Sequence, residues 1–535
     1  MKNAAAMLDC PNPNCQAANP EENKFCHKCR TRLVQQYLWA IADVAAYQPG
    51  SLLGDRFLYK GSQIFLDTKP ALPSINSSEL PAHFLPYLRL SPLRLHVPQV
   101  YEWLPTAHPD SGLLLLDYAP IWVPFSEDKA DLKFAEGSAP LFPQLLEAWQ
   151  SANPLRQLNW LWQMANLWQP LSSEQVVSSL LDVELLRVEG GILRLLELRS
   201  DATQAPISLS ALGKIWLQWS ETAKPEIATR IRQISQQLIQ GQIHNAEQIT
   251  ERLDEAIAQI GQVYTRKIQV ATLTDQGPTR QRNEDACYPQ SGTKIQNPAI
   301  PLVIVCDGIG GHQGGDVASN LAIEAIEQRM KVLKPKALDP ITLTVELEKA
   351  ACSANDQISQ RNDSEQRHDR QRMGTTLVMG LMRDYELYVT HIGDSRAYWI
   401  TRWGCHQITL DDDVASREVR LGYSAYRQAL QQPSAGSLVQ ALGMGSSNLL
   451  YPTVQRFIVD EDSIFLFCSD GLSDNDRVET CWDTEILPIL DGKADLTTVS
   501  RRLVEIANTL NGYDNATVGL LQCQMEVAQP TPHLS

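Results

Sequence analysis

The sequence predicts an α+β protein of several domains, and three observations predict it. From Lys267 onward, short apolar runs each end in an acidic residue beside a glycine, the pattern of buried strands with a carboxylate at the tip. Between Ile227 and Ile260, apolar residues recur at helical spacing: Ile227, Ile231, Ile234, Leu238, then Ile249, Leu253, Ile257, Ile260. At the other end, four of the 11 cysteines fall between Cys10 and Cys29. A chain of 535 residues has room for three or four domains. The expected division is a small cysteine-rich unit at 1–33, a mixed α/β middle region at 34–262, the strand-rich region at 266–526 and a frayed tail at 527–535.

Composition narrows the class. Hydrophobic residues make up 43% and charged residues 20%, which is ordinary for a folded globular protein. The strongest apolar run, Gly112 to Leu116, meets Asp117 at once, far short of the roughly 18 residues that cross a bilayer. Met1 to Asp9 lacks the apolar core of a secretory signal, so a cytoplasmic protein with no membrane partner is expected. A formal charge of −16 would repel polyanions and argues against nucleic acid as a partner. The remaining cysteines are scattered through apolar segments, which fits a reducing compartment and not a disulfide framework.

At the N-terminus, Cys10-x4-Cys15, ten residues, then Cys26-x2-Cys29 place two pairs of thiols at a spacing suited to tetrahedral zinc. The flanking Asn-Pro and Phe25-Cys26-His27-Lys28-Cys29 resemble the zinc ribbons at the ends of many bacterial regulatory proteins, with a first knuckle one or two residues longer than the common form. A structural Zn²⁺ on Cys10, Cys15, Cys26 and Cys29 is expected. The competing reading, a redox pair, would need a thioredoxin-like unit around it. Residues 1–33 carry five basic and three acidic residues, and four zinc-bound thiolates outweigh one Zn²⁺. No strong basic face remains for DNA, so a protein contact is expected at the ribbon or in the middle region.

The middle region, rich in Leu, Trp and Pro, has two readings. Gly50-Ser51-Leu52-Leu53-Gly54-Asp55-Arg56-Phe57 resembles the opening strand of a protein kinase lobe, Leu113 to Tyr118 its hinge strand, and Leu181 to Leu195 its catalytic loop and the strands that follow. G-x-G-x-x-G, H-R-D and D-F-G are all missing, so a kinase fold here would be a dead one. The alternative is an unrelated mixed sensor domain with Trp160, Trp162, Trp168, Trp216 and Trp219 in its core. Either is a binding or regulatory module.

In the strand-rich region, Leu302 to Cys306 precedes Asp307-Gly308, Leu387-Tyr388-Val389 leads to Gly393-Asp394, and Ile464 to Cys468 precedes Ser469-Asp470-Gly471. Asp285, Asp307, Asp470 and Asp514 all stand at strand tips or in turns, where one sheet edge could gather them. Gathered carboxylates raise one another's pKa or recruit cations. Oxygen ligands without nearby His or Cys favour Mg²⁺ or Mn²⁺, and two such ions suit hydrolysis of a phosphoester. Any one of these aspartates taken alone reads first as a turn residue capping a strand; the four together fit that reading poorly.

Six segments carry a specific resemblance. Thr274-Asp275-Gln276-Gly277-Pro278-Thr279-Arg280-Gln281-Arg282-Asn283-Glu284-Asp285, Asp307-Gly308-Ile309-Gly310-Gly311-His312, Met373-Gly374-Thr375-Thr376, Gly393-Asp394-Ser395-Arg396, Ser469-Asp470-Gly471-Leu472 and Asp514-Asn515-Ala516-Thr517 resemble, in order, the motifs of the metal-dependent protein phosphatases of type 2C. The resemblance implies a four-layer α-β-β-α sandwich. It also implies hydrolysis of phosphoserine and phosphothreonine in protein substrates by a water or hydroxide bridging two Mg²⁺ or Mn²⁺ ions. It places Asp285, Asp307 and the Gly308 carbonyl on the metal pair, Asp470 and Asp514 on the second ion, and Asp394, Asp470 and Asp474 on a third, weaker one. Arg280 would bind the substrate phosphate, which suits a guanidinium fork. His312 is either a general acid for the leaving alkoxide or a polar residue in a Gly-rich turn.

Two departures stand out. Asp412 occupies a position where many members of the family have histidine, and the variable flap between Val414 and Gly443 carries Arg417, Arg420, Tyr423, Tyr426 and Arg427, a surface expected to face substrate. A non-catalytic scaffold that keeps this fold is the rival reading, and the intact carboxylate set counts against it. An anti-anti-sigma-type regulator phosphatase, dedicated to one partner, would share the same chemistry.

Overall fold

A computed structural model describes residues 7–527 apart from 43, 46, 75–78, 106–111, 123–140, 203–205 and 310–313, with the side chain of residue 370 also left aside. His312, Gly310 and Gly311 lie outside the described residues, as does the tail beyond Val527. The chain forms two compact units: Met1–Ile257 together with Ala415–Ala435, and Ala258–Val414 together with Gly436–Ser535. Among the described residues no helix is long and apolar enough to cross a membrane.

The first unit is organised by a six-stranded antiparallel sheet, in the order Leu52–Leu53, Phe57–Gly61, Ile64–Asp67, Gln36–Ile41, Gly112–Asp117 and Gln99–Pro105. The hairpin between its second and third strands turns through Ser62 and Gln63, both at positive φ, as a tight two-residue turn requires. Side chains alternate across the strands. Leu38, Ala40, Phe57, Tyr59, Phe65, Tyr101, Leu113 and Leu115 form the core on one face. Tyr37, Leu58 and Leu66, one residue out of phase, pack on the other against Leu8, Cys10, Cys26 and Leu33. The cysteine-rich segment therefore has no core of its own: it lies on the sheet and shares one.

The helical part of this unit follows. The helix Pro154–Ser173 starts with proline at its first position and an Asn153 side chain that accepts the Arg156 N–H at 2.8 Å. The hairpin Leu186–Glu189 to Ile192–Leu195 turns at Gly190-Gly191, and the helices Leu209–Trp219, Pro225–Ile239 and Ala246–Gly261 complete the part. Trp160, Trp162, Trp168, Trp216 and Trp219 are all buried, as their reading as core residues requires.

Among the described residues, the second unit holds two large antiparallel sheets and a short ladder of Gly308–Ile309 with Gly374–Thr375. One runs Lys294–Gln296, Tyr264–Asp275, Ala516–Val527, Ser463–Cys468, Arg396–Ile400, Cys405–Gln407; the other runs Ala286–Tyr288, Leu302–Cys306, Leu377–Arg383, Glu386–Ile392, Thr453–Ile458. The apolar runs at 302–306, 386–392 and 463–468 are buried throughout. Two glycines set how closely the sheets face one another. A Cβ on Gly380 would lie 2.1 Å from the Phe467 ring, and one on Gly519 would lie 2.4 Å from Val303. Helices Gly315–Val332 and Pro340–Ser364 pack Ala322, Ile326, Leu347 and Ala351 on the five-stranded sheet, and Leu496–Ile506 packs on Tyr264–Asp275 and Ala516–Val527 of the other. Gly380→Val should lower the stability of this unit by about 3 kcal/mol, because overpacking at a backbone-to-ring contact can be relieved only by separating the sheets. Thermal unfolding of the variant reads this directly.

Candidate active site

The acidic residues gather at one end of the two facing sheets because the strands that carry them end there. Asp307 follows Leu302–Cys306, Asp470 follows Ser463–Cys468 and opens a one-turn helix, Asp285 precedes Ala286–Tyr288, and Asp514 precedes Ala516–Val527. Glycines let the loops close on one another: a Cβ on Gly471 would stand 1.9 Å from the Asn515 carbonyl oxygen, and one on Gly277, at φ +74°, 2.2 Å from that of Asp514. Asn515 ties the first loop down. Its Nδ2 donates to the carbonyls of Gln276 and Arg282 at 2.7 and 2.9 Å, and its Oδ1 accepts the Glu284 N–H at 2.9 Å.

The proximity of these carboxyls shows in their acidity. Asp307 is raised well above the ordinary carboxylate range by burial and then by Asp285, Asp470 and Asp394. Asp285 is pushed up to about 7 by burial, with Asp470 and Asp514 adding to the rise and the Thr517 and Ser469 hydroxyls opposing it. Burial, Asp514 and Asp474 raise Asp470 to about 6, and burial, Asp470 and Asp411 raise Asp394 to about 7. Glu284 is raised as well, by burial and by Asp316. One buried carboxylate oxygen, Asp470 Oδ1, has no hydrogen-bond partner. A buried, mutually repelling set of hard oxygen donors with an unsatisfied member fits divalent cations.

Arg280 and Asp474 stand at the edge of this cluster. Arg280 Nη2 donates to Asp514 Oδ2 at 2.5 Å and Nε to the Tyr513 carbonyl at 3.1 Å. Burial pulls its pKa down, and the Asp514 carboxylate more than restores it, so the net shift is upward. Nearly half of its side chain is exposed. Tyr513 donates its hydroxyl to Asp474 Oδ2 at 2.6 Å. Gly308 pairs with Thr375 in a two-residue ladder, where a Cβ would collide with the Glu284 carbonyl oxygen at 2.5 Å.

Sequence reasoning passed over the groups that aim the carboxylates, although they lie inside the quoted motifs. Asp285 Oδ2 accepts Ser469 Oγ at 2.8 Å and Thr517 Oγ1 at 2.7 Å. A hydroxyl donates only once, so Thr517 must accept from Thr274 Oγ1, 2.6 Å away, and Thr274 in turn accepts from Asn283 Nδ2 at 2.9 Å. Ser469 Oγ accepts the Thr517 N–H at 3.0 Å. These bonds fix one oxygen of Asp285. Backbone contacts fix Asp307: its N–H donates to Thr376 Oγ1 at 3.0 Å and its carbonyl accepts Thr375 Oγ1 at 2.8 Å. Asp412 accepts the Gly393 N–H at 3.0 Å and Gln440 Nε2 at 2.8 Å, and so steadies the turn that bears Asp394. If Asp285 is a ligand, as proposed below, Thr517→Val should weaken Mn²⁺ binding by about 10- to 100-fold, the usual cost of losing a partner behind a metal ligand. Titration calorimetry measures it without reference to turnover.

In the first unit the four cysteine sulfurs lie within 4.8 Å of one another, a closeness that no acidic group among the described residues matches. Cys10 Sγ stands 3.4 Å from Cys29 Sγ, and Cys15 Sγ 3.8 Å from Cys26 Sγ. The Lys28 N–H points at Cys26 Sγ at 3.4 Å. The Thr31 hydroxyl leads in lowering Cys29 to about 6, and burial raises Cys10 to about 12.

The profile of the protein phosphatase 2C family matches residues 278–506. The serine/threonine phosphatase stp of Listeria monocytogenes is 31% identical over 251 residues, which is 46% of this chain and 93% of that protein. The serine/threonine protein phosphatase PstP of Mycobacterium tuberculosis is 31% identical over 254 residues, 48% of this chain and 45% of that one. The crystal structure of the Mycobacterium tuberculosis phosphatase PstP/Ppp is 30% identical, covers 48% of this chain and 98% of its own, and has a TM-score of 0.41.

Proposed function

The chain belongs to the protein phosphatase 2C family, and from that premise we propose that residues 266–526 remove phosphate from phosphoserine and phosphothreonine through the acidic cluster around Asp307. It is a protein serine/threonine phosphatase, a hydrolase whose substrates are phosphorylated proteins. The observation that carries the site assignment is the buried convergence of Asp285, Asp307, Asp470 and Asp394, each with its acidity suppressed by burial and by its neighbours.

In this reading Asp285 and Asp307 would bridge or hold the pair of Mg²⁺ or Mn²⁺ ions, with the Gly308 carbonyl a further ligand; Asp470 and Asp514 would hold the second ion, and Asp394, Asp470 and Asp474 a weaker third. Bound there, such ions supply an acidified water and positive charge for the phosphoryl oxygens. The protein's own part is positional. Ser469 and Thr517 aim Asp285, and Thr375 and Thr376 hold the Asp307 backbone. Arg280, tethered to Asp514 and exposed on its outer side, offers its free N–H groups to the substrate phosphate. His312 keeps both of its roles open, general acid or turn residue. The two facing sheets with helices on their outer faces support the family's α-β-β-α sandwich for this region.

Residues 1–33 are read as a structural zinc ribbon and 34–262 as a regulatory module without phosphoryl-transfer chemistry of its own, whether or not it is a degenerate kinase fold. The close cysteine cluster supports the first reading, and the lack of kinase motifs supports the second. A protein partner at either part remains part of the proposal.

The test is phosphate release from a phosphothreonine peptide by the full chain. Turnover should require Mn²⁺ or Mg²⁺ and stop on chelation; metal-independent turnover would overturn the assignment. Ligation needs ionised carboxylates, and three of these are raised to between about 6 and 7. Below pH 6 protons compete with the metal, so the apparent Mn²⁺ affinity should rise with pH between about 5.5 and 7.5 and protons should be released on binding. Calorimetry in buffers of different ionisation enthalpy reads both.

A further inference from the structure

Asp474 follows the one-turn helix Asp470–Ser473, within the second unit. Tyr513 of the same unit meets its carboxylate: the phenol donates to Asp474 Oδ2 at 2.6 Å, and among the described residues no other side chain donates to that carboxylate. A short bond from a hydroxyl to a charged oxygen is of the strong, charge-assisted kind, and it fixes the rotation of the carboxylate. Tyr513 also faces the other way through its backbone, where its carbonyl accepts Arg280 Nε at 3.1 Å. Its side chain and its main chain therefore do separate jobs, the first on Asp474 and the second on the arginine read as the phosphate ligand.

The backbone that carries Asp474 is held by a different residue. Asn511 Nδ2 donates to the carbonyls of Gly471 and Asp474 at 3.0 and 3.2 Å, and Asn511 Oδ1 accepts Asn475 Nδ2 at 3.2 Å and Arg477 Nε at 3.0 Å. These bonds span a turn in which Asn475 and Asp476 stand at φ +59° and +55°. Asn and Asp accept that conformation more readily than other side chains, but it persists only where surrounding contacts hold it. Asn475 Nδ2 also reaches the Tyr513 hydroxyl oxygen, at 3.5 Å, and would keep its Asn511 partner without it. Removing the Tyr513 hydroxyl thus leaves the main chain of 471–477 held and releases the Asp474 carboxylate. The ring is 44% exposed, so a phenylalanine there opens no buried gap.

We propose that Tyr513 is a positioning residue for the weaker third cation: its hydroxyl aims the Asp474 carboxylate toward the ion that Asp474 is read as sharing with Asp394 and Asp470. The proposal rests on the metal reading above and adds to it a residue outside the ligand set. A carboxylate with no restraint must give up rotamer freedom when an ion arrives, and one already held by a phenol gives up less. The effect falls on the third ion, because the Tyr513 hydroxyl bonds to Asp474 and Asn475 and to none of Asp285, Asp307 and Asp514.

The test is Mn²⁺ titration of the full chain by calorimetry, with the paramagnetic resonance of bound Mn²⁺ as a second readout, on the wild type, Tyr513→Phe, Asp474→Asn and the double variant. The wild type should show a tight pair of ions and a weaker third. Tyr513→Phe should weaken the third about tenfold or more, the range for losing a partner behind a metal ligand, and leave the tight pair unchanged. Asp474→Asn should lose the third ion, and adding Tyr513→Phe to it should change Mn²⁺ binding no further, since the phenol acts through that carboxylate. A third ion bound equally well by Tyr513→Phe would overturn the proposal. So would a tight pair weakened to the same degree, which is what a merely structural role would produce. Phosphate release from a phosphothreonine peptide by the wild type keeps the two readings apart. A chain that turns over the peptide but binds no weaker ion overturns the proposal alone; one with no turnover overturns the phosphatase reading, while the Mn²⁺ titration still decides the proposal.

Discussion

Asp307→Asn should abolish phosphate release from a phosphothreonine peptide, by about 10³-fold or more, while the protein stays folded. The factor corresponds to roughly 4 kcal/mol of transition-state stabilisation, the share expected of a carboxylate that holds the metal pair in the proposed site. Asparagine keeps the shape and removes the charge. The Asp307 backbone is held by Thr375 and Thr376 whatever its side chain carries, so the loop should not move. Stability gives an independent check through its sign. The Asp307 carboxyl is raised well above the ordinary range by burial and its acidic neighbours, so its ionised form burdens the metal-free fold at neutral pH. That burden is absent at low pH, where the carboxyl is protonated in both states, and grows as pH rises past the unfolded value. The metal-free variant should therefore melt no lower than the wild type at pH 7.5, and the difference should shrink toward pH 4. Retained turnover would remove Asp307 from the catalytic site, and a large fall in melting temperature would give it a structural role instead.

On the zinc-ribbon reading proposed above, Cys26→Ser should abolish zinc binding and reach beyond residues 1–33. Cys26 is fully buried, and with Cys10 it packs on Leu66 of the six-stranded sheet. Structural zinc contributes about 10–16 kcal/mol to the folding of small ribbons. A segment with so little apolar core has nothing to replace it. Metal analysis should find about one zinc per wild-type chain and almost none in the variant, and proteolysis should enter between residues 7 and 33. Because Leu8 and Leu33 cover one face of the sheet, the melting temperature of the first unit should also fall. Turnover of p-nitrophenyl phosphate should survive, since the acidic cluster lies in the second unit. An unchanged zinc content would exclude Cys26 as a ligand.

The sequence by itself determined the strand-tip placement of Asp307 and Asp470, the grouping of the four N-terminal cysteines, the helices between Ile227 and Ile260 and the tryptophan core. Each of these depends on spacing over a few residues, which fixes the side-chain period, the turn and the ligand reach. The six motifs carried the family for the same reason. Only the tertiary structure decided which groups meet across the fold. Ser469 and Thr517 reach Asp285 from positions 184 and 232 residues away. The cysteine-rich segment shares its core with a sheet that begins after it, and Arg427 binds carbonyls more than 350 residues upstream. Such contacts follow from strand register and from the closure of long loops, where one residue of slip exchanges every partner, and no local pattern records them.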